Sequence, residues 1–367
     1  MQLFELATQG FRNLTPDPVS FGAGITLVVG ENAQGKTNLL EAVAVVCGQR
    51  SFRNASPAEM ARDGERFAVH ATAAGRRGEE RIAVTWSREE GRAFARSGKA
   101  AGFREISELA PGVFLAPEHR ELVTGSPAAR RRFLDRLVIG MKPAAGDDLA
   151  RYGTALKERN ALLARWRAAG TGSEDELAAW TEELAVAGSD VRRHRRAALS
   201  SWDAEFRALA AEAGGDYRDV GVACTASSDS PDEIRAACRR LSGLEKKRGH
   251  TLAGPHRDDL AWTRRGKPLA AEASAGEIAR TIALARLAEW RSVAAAAGEA
   301  PLFAVDDFDA GLSEASADEF FATLPRGAAV VLTTASPATR WARRADAVIE
   351  VRAGAASGPR ALRAVHA

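Results

Sequence analysis

Short apolar runs separated by polar turns open the chain. Leu3, Phe4 and Leu6 begin a strand, and Ile25-Thr26-Leu27-Val28-Val29 is a nearly continuous β-rich run, the pattern of a parallel strand buried on both faces. Beyond Gly35, Leu39, Leu40, Val43 and Val46 recur on one face of a helix. Residues 67–94 alternate apolar and polar positions between Gly75, Gly78 and Gly91, which predicts an antiparallel sheet. From about Ala128 to Leu252 the period becomes helical. Leu149, Tyr152, Leu156, Leu163 and Trp166 keep heptad spacing, broken only by Arg159. After the turn Ala169-Gly170-Thr171-Gly172-Ser173, the series Leu177, Trp180, Leu184, Ala187, Val191 resumes it. Two such runs fit a short antiparallel helical hairpin, or an ordinary amphipathic pair inside a bundle. From Asp258 strands and helices alternate again. Strands are predicted at 260–263, 302–305, 329–333 and 348–351, helices at 276–297 and 315–324, and 353–360 reads as a frayed tail. The pattern is that of an α/β unit in two pieces, 1–110 plus 253–367, interrupted by a helical insertion over 111–252.

Composition changes this picture little. The 367 residues are 46% hydrophobic and 27% charged, an ordinary globular balance that excludes collagen-like or wholly disordered chains. No apolar run reaches the roughly 18 to 20 residues of a membrane helix, and Met1 to Leu6 lacks the basic start and apolar core of a signal peptide. Cys47, Cys224 and Cys238 give neither a disulfide framework nor a paired metal-ligand spacing, so a cytoplasmic setting is expected. The net charge of +3 permits a nucleic-acid partner without requiring one.

The chemistry begins at Gly30-Glu31-Asn32-Ala33-Gln34-Gly35-Lys36-Thr37, followed by Asn38, which matches G-x-x-x-x-G-K-[ST] between an apolar strand and a helix. Backbone N–H groups of such a loop close around phosphate oxygens, and the helix N-terminus adds partial positive charge. Lys36 supplies a full charge at the β/γ-phosphates of a nucleotide, and Thr37 offers a hydroxyl to Mg²⁺. Leu302-Phe303-Ala304-Val305-Asp306-Asp307 is an apolar strand ending in two acids. Asp306 suits the metal, and Asp307 suits the attacking water. Lys36 and Asp306 lie 270 residues apart, a gap too wide for a small nucleotide kinase or GTPase. Ser274, Gly276 and Glu277 precede the 276–297 helix. They fit a second anion seat, which would complete another subunit's site, or a plain helix cap with Glu277 as its reciprocal partner.

This order of segments resembles the ATP-binding-cassette ATPase head and, within it, the RecF recombination-repair family, over about residues 1–352. The carrying segments are Gly10-Phe11-Arg12-Asn13-Leu14, the glycine loop, Phe114-Leu115-Ala116-Pro117-Glu118, and Leu122-Val123-Thr124-Gly125-Ser126-Pro127. After them come Arg130-Arg131-Arg132-Phe133-Leu134-Asp135, Gly254-Pro255-His256-Arg257-Asp258-Asp259-Leu260, the Ser274 box and the acidic pair. The resemblance implies a lobe I with a mixed sheet and the P-loop, and an inserted α-helical lobe II. It implies that Arg12 and Asn13 contact nucleotide. Two heads would close on two ATP molecules, each Ser274 box touching the γ-phosphate in the opposite head. It further implies binding of gapped or junction DNA, loading of RecA together with RecO and RecR, and slow, DNA-stimulated hydrolysis without a membrane partner.

Several positions depart from the family pattern. Ala275, Glu277, Ile278 and Ala279 replace parts of a Ser-Gln-Gly-Gln-Gln-Arg box, and Ser313 stands where a downstream Asp is expected. No Gln follows Gln49, so the lobe-connecting glutamine is missing and Glu118 is its candidate substitute. That glutamine and a shorter middle section would mark a transporter subunit. Thr334 ends the 329–333 strand, where relatives outside the family carry His. Arg192-Arg193-His194-Arg195-Arg196 fits either a solvated helix face or phosphate contacts with DNA. Arg130 to Arg132 fit DNA contact or packing within the lobe. Lys246, Lys247 and Arg248 form a third basic cluster. An ATP-switched scaffold that reaches DNA only through protein partners is the second reading.

Overall fold

The Ile25–Val29 run is a central strand because both of its edges are taken. Val330–Thr334 and Ala347–Arg352 flank it, both parallel to it. In this computed structural model, which describes residues 1–76, 78–225, 229–310, 314–335 and 339–358 (backbone alone at 314–316, 339 and 340), the chain forms two compact units. One comprises residues 1–120 and 274–367, the other 121–273.

In the first unit a mixed sheet, parallel except for its Ala355–Ser357 edge, runs through Ala355–Ser357, Ala347–Arg352, Ile25–Val29, Val330–Thr334, Leu302–Val305 and Gly112–Leu115. A second six-stranded sheet is antiparallel and contains the expected Arg66–Gly75, Gly78–Ser87 and Gly91–Arg96 strands together with Gln2–Gln9. The helix Lys36–Val46 is buried almost all round from Leu39 to Val46, because it packs against strands of both sheets. The single apolar face expected of it is therefore too narrow a description.

Two boundaries move. Gly112–Leu115 pairs in parallel with Leu302–Val305, so residues 111–120 belong to the α/β unit and not to the insertion. Conversely, Leu260–Arg264 pairs antiparallel with Val220–Cys224, a strand inside the stretch read as helical, so residues 253–273 belong to the second unit. The tail is also more ordered than expected. Ala355–Ser357 forms a hairpin with Ala347–Arg352, and only 359–367 lies outside the described residues.

The second unit contains the helical hairpin, Ala145–Ala169 and Glu174–Ala213, closed by Gly170 in the left-handed conformation and by Ser173 as the cap of the second helix. Tyr152, Leu184, Ala187 and Val191 pack with Ile234 and Cys238 of the Pro231–Arg248 helix. Arg159, the break in the heptad series, is buried. Its guanidinium bonds to Glu245 Oε2 (2.7 Å), Thr181 Oγ1 (2.9 Å) and Thr251 Oγ1 (2.8 Å), and Glu245 is itself fully buried. His256 accepts at Nδ1 from the Tyr152 hydroxyl (2.6 Å) and donates from Nε2 to the Thr251 carbonyl (3.1 Å). Burial lowers its pKa to about 4, assisted by the positive charges of Arg257, Arg131 and Arg159.

The basic runs are only partly internal to this unit: Arg132, Arg193, Arg196, Lys247 and Arg248 are exposed, whereas other arginines of the runs face inward. Arg192 makes a two-pronged pair with Asp258 (3.0 and 2.6 Å), and Arg195 bonds to Asp135 Oδ1 (2.8 Å) and the Pro255 carbonyl (2.8 Å). Arg130 grips Asp259 (2.6 and 3.0 Å), and Arg131 donates to the Asp258 carbonyl (2.9 Å). Arg192 and Arg195 are thus corrected from solvated or DNA-facing positions to buried pairs. Their partners lie some sixty residues away along the chain, beyond the reach of a local reading.

Two outcomes follow. Arg159→Ala strands the buried Glu245 carboxylate and lowers stability by about 3–5 kcal/mol in urea unfolding, whereas Arg159→Met with Glu245→Leu regains most of it; a loss below about 1 kcal/mol refutes the buried pair. His256 has its folded pKa depressed below the unfolded value of 6.5, so its stabilising contribution is complete above pH 6.5 and is lost as pH falls toward 4. His256→Gln should therefore flatten the pH dependence of the urea midpoint between pH 6.5 and 4; curves of equal slope would show that His256 titrates normally.

Candidate nucleotide-binding site

The glycine loop starts where Ile25–Val29 ends and stops where Lys36 begins the helix. Gly30 lies flush against the neighbouring strand: a Cβ there would sit 2.4 Å from the Val351 carbonyl oxygen. Ala33 (φ 64°) and Gly35 (φ 119°) take left-handed backbone conformations, which turn successive N–H groups to one side, as in anion-binding nests. No side chain caps the helix, and its first turn carries no acid. Its leading N–H groups are therefore suited to an anion. Lys36 is buried, and its ammonium donates to the Gly30 (2.8 Å) and Glu31 (2.9 Å) carbonyls across the mouth of the loop. Glu31, Asn32 and Ala33 are exposed.

The two sequence motifs meet. Thr37 Oγ1 donates to Asp306 Oδ1 (3.1 Å), and Thr333 Oγ1 donates to the same oxygen (2.7 Å). Thr333 also accepts from the Asp307 N–H (2.7 Å), which helps hold Asp307 in a left-handed conformation (φ 44°) unusual outside glycine. Burial is the main cause that pushes the Asp306 carboxyl up to about 6; the negative charges of Asp307 and Glu118 add to it against the two hydroxyl donors.

The site suits a divalent cation. Asp307 Oδ1 and Glu118 Oε2 are buried without a hydrogen-bond partner, and both carboxylates bear electrostatically on Asp306. A cation beside Thr37 and Asp306 would offset this crowding of negative charge. Among the described residues no cluster of three or more His, Cys, Asp or Glu has metal-binding geometry by itself. Mg²⁺ would therefore take most of its octahedral shell from phosphate and water, as it commonly does.

Other expected residues have different neighbours. Asn13 accepts at Oδ1 from Asn38 (2.8 Å) and donates to the Gln34 carbonyl (3.3 Å), tying the first strand's exit to the glycine loop. Arg12 pairs with buried Glu41 (2.8 and 3.0 Å) and donates to the Glu59 carbonyl (2.7 Å), so its guanidinium anchors the loop helix. Ser274 and Glu277 bond to each other as a reciprocal cap: Ser274 Oγ accepts from the Glu277 N–H (3.3 Å), and Glu277 accepts from the Ser274 N–H (2.8 Å). Ser274 and Gly276 are exposed, and a Cβ at Gly276 would meet open space. Thr334 donates to both carboxylate oxygens of Asp309 (2.8 Å each). Ser313 lies outside the described residues. Thr333 and Asp309 were not singled out by sequence. The one available signal is a pair of hydroxyls ending an apolar strand.

A family model described as an AAA domain matches residues 5–112. The DNA replication and repair protein RecF of Deinococcus deserti is 36% identical over 318 residues, covering 85% of this chain and 84% of that protein. RecF of Deinococcus radiodurans is 33% identical over 326 residues, with 85% and 84% covered. Among solved structures, the recombination mediator protein RecF with ATP, in the RecFOR pathway, superposes with a TM-score of 0.88 at 24% identity, covering 97% of each chain. An Smc head bound to the C-terminal winged-helix domain of ScpA matches with a TM-score of 0.53 at 15% identity. By sequence identity across most of its length, and with an ABC-type ATPase head as its fold, the chain belongs to the RecF family.

Proposed function

We propose that this chain is an ATP-driven DNA-repair clamp whose two heads close on two nucleotides. The observation that carries this reading is the hydrogen-bonded junction of Thr37, Asp306 and Thr333, which joins the glycine loop to the acidic strand at the buried end of the parallel sheet. The loop's N–H groups and Lys36 bind the phosphates of ATP. Thr37 and Asp306 would hold Mg²⁺, which would supply neutralisation of phosphate charge. Asp307, with one carboxylate oxygen left without a partner, accepts a proton from the attacking water. Glu118 presents its buried oxygen to the same region in place of the lobe-connecting glutamine. Ser274 uses its oxygen as a cap acceptor, which leaves the hydroxyl proton free for a γ-phosphate oxygen of a second copy. The exposed helix N-terminus at Gly276 adds its dipole.

Family membership supports a role in DNA replication and repair. The finer reading is a weak, DNA-stimulated ATPase that recognises gapped or junction DNA in the cytoplasm and acts with RecO and RecR to load RecA. No helix among the described residues is long and apolar enough to cross a membrane. One observation favours the alternative of a scaffold that reaches DNA through partners: Arg130, Arg131, Arg192 and Arg195 are committed to internal pairs, which reduces the basic surface open to phosphate.

Lys36→Met should abolish ATP-dependent dimerisation in analytical ultracentrifugation, and with it retention of gapped DNA by the purified chain. A mutant dimer of unchanged affinity would refute the phosphate assignment, and a parent chain that dimerises with ATP but retains no DNA would favour the scaffold. Asp307→Asn should preserve the dimer and lower turnover about 10²-fold or more, the usual scale for loss of a general base. Parent-like turnover would remove Asp307 from the chemistry.

A further inference from the structure

The C-terminal hairpin touches the outer side of the glycine loop. Ala347–Arg352 and Ala355–Ser357 pair through Arg352 and Ala355, leaving a two-residue turn, Ala353-Gly354. Both turn residues have positive φ (47° and 83°), the backbone pattern of the tight hairpin turns that match strand twist. The turn makes three backbone contacts with the site. The Ala353 N–H donates to Gln34 Oε1 (2.6 Å), the Gly354 N–H donates to the Gln34 carbonyl (2.8 Å), and the Gly354 carbonyl accepts from the Thr15 N–H (2.9 Å). It is wedged between Gln34 and the Asn13–Thr15 segment so closely that a Cβ on Gly354 would stand 1.9 Å from the Asn13 carbonyl oxygen.

Peptide geometry gives these contacts a consequence. In a trans peptide the C=O and the following N–H point in opposite directions. The Gln34 carbonyl is pulled outward by Gly354 and by Asn13 Nδ2 (3.3 Å). The Gly35 N–H, on the same peptide plane, is therefore turned to the opposite side of the loop. On the reading proposed above, on which this inference rests, that is the phosphate side. Gly35 has no side chain to hold this orientation, and its φ of 119° is accessible to many alternatives in a free loop.

We propose that the Ala353-Gly354 turn is a positioning element for nucleotide binding. It locks the Gln34–Gly35 peptide so that the loop meets the triphosphate with its N–H groups already aligned. Gly354 is a positioning residue: it contacts Gln34 and Thr15, and acts on the nucleotide only through the loop.

The test uses the full-length chain and two variants. Gly354→Ala forces the turn away from Asn13. Gln34→Met removes the acceptor for the Ala353 N–H without adding bulk at the turn. Gly354→Ala should weaken binding of a fluorescent ATP analogue about tenfold while turnover at saturating ATP stays within about twofold, and Gln34→Met should weaken binding about threefold. Without nucleotide, amide exchange should accelerate at residues 30–37 in both variants and stay at the parent rate in the Arg66–Gly75 and Gly78–Ser87 strands. Folded variants with parent-like affinity and parent-like exchange at Gly35 would overturn the proposal. If Gly354→Ala does not fold, Gln34→Met alone decides by the same two readings. A parent chain that binds no ATP analogue, yet shows the faster exchange in the variants, would leave the brace standing and overturn the nucleotide reading instead.

Discussion

A single carboxylate organises the first unit. Asp306 is buried at the end of Leu302–Val305 and is reached by two hydroxyls, one from the first turn of the loop helix and one from the adjacent strand. Three strands therefore end at one point: Ile25–Val29 delivers the glycine loop, Leu302–Val305 delivers the acids, and Val330–Thr334 delivers the hydroxyl between them. Carboxyl ends of parallel strands are where open α/β sheets place ligands, because loops and helix N-termini gather there. Burial, with the nearby negative charges of Asp307 and Glu118 adding to it, lifts the Asp306 pKa to about 6.

The second unit solves a different problem with the same kind of interaction. Asp135, Asp258 and Asp259 receive guanidinium groups from Arg195, Arg192 and Arg130. The block Arg130 to Asp135 is thereby bound to the block Gly254 to Leu260. Pairs of this kind cost desolvation and contribute geometry more than stability. They stand beside a buried aromatic cluster, Phe133, Trp202, Phe206 and Trp262, that joins the helices of Arg130 and Arg192 to the three-stranded sheet.

Much of the first unit was legible because its signals are local. A glycine loop between an apolar strand and a helix is complete within twenty residues, and the acidic pair ends a run of four apolar positions. What escaped was set by distant partners. Thr333 looks like one more β-branched strand residue until Asp306 is placed beside it. Arg192 and Arg195 sit in a charge run that resembles solvated surface, because Asp258 and Asp135 are remote in sequence. Val220–Cys224 is a five-residue strand between long helices, and its only partner among the described residues outside the helical stretch is Leu260–Arg264. The terminal hairpin lacks an Asn-Gly signal; its turn is Ala-Gly, where the positive φ of Gly354 and its packing against Asn13 both favour glycine.

The order of strands also bears on how the chain is made. Ile25–Val29 emerges early from the ribosome, yet both of its neighbours, Val330–Thr334 and Ala347–Arg352, come from the far end. At about 5–20 residues per second, the central strand waits roughly 15 to 60 s for its first parallel partner. During that interval its two backbone edges and its apolar faces have no native cover from the sheet, while residues 121–273 can already close on their own contacts. The strand that carries the glycine loop is thus synthesised about three hundred residues before either of the strands that complete it.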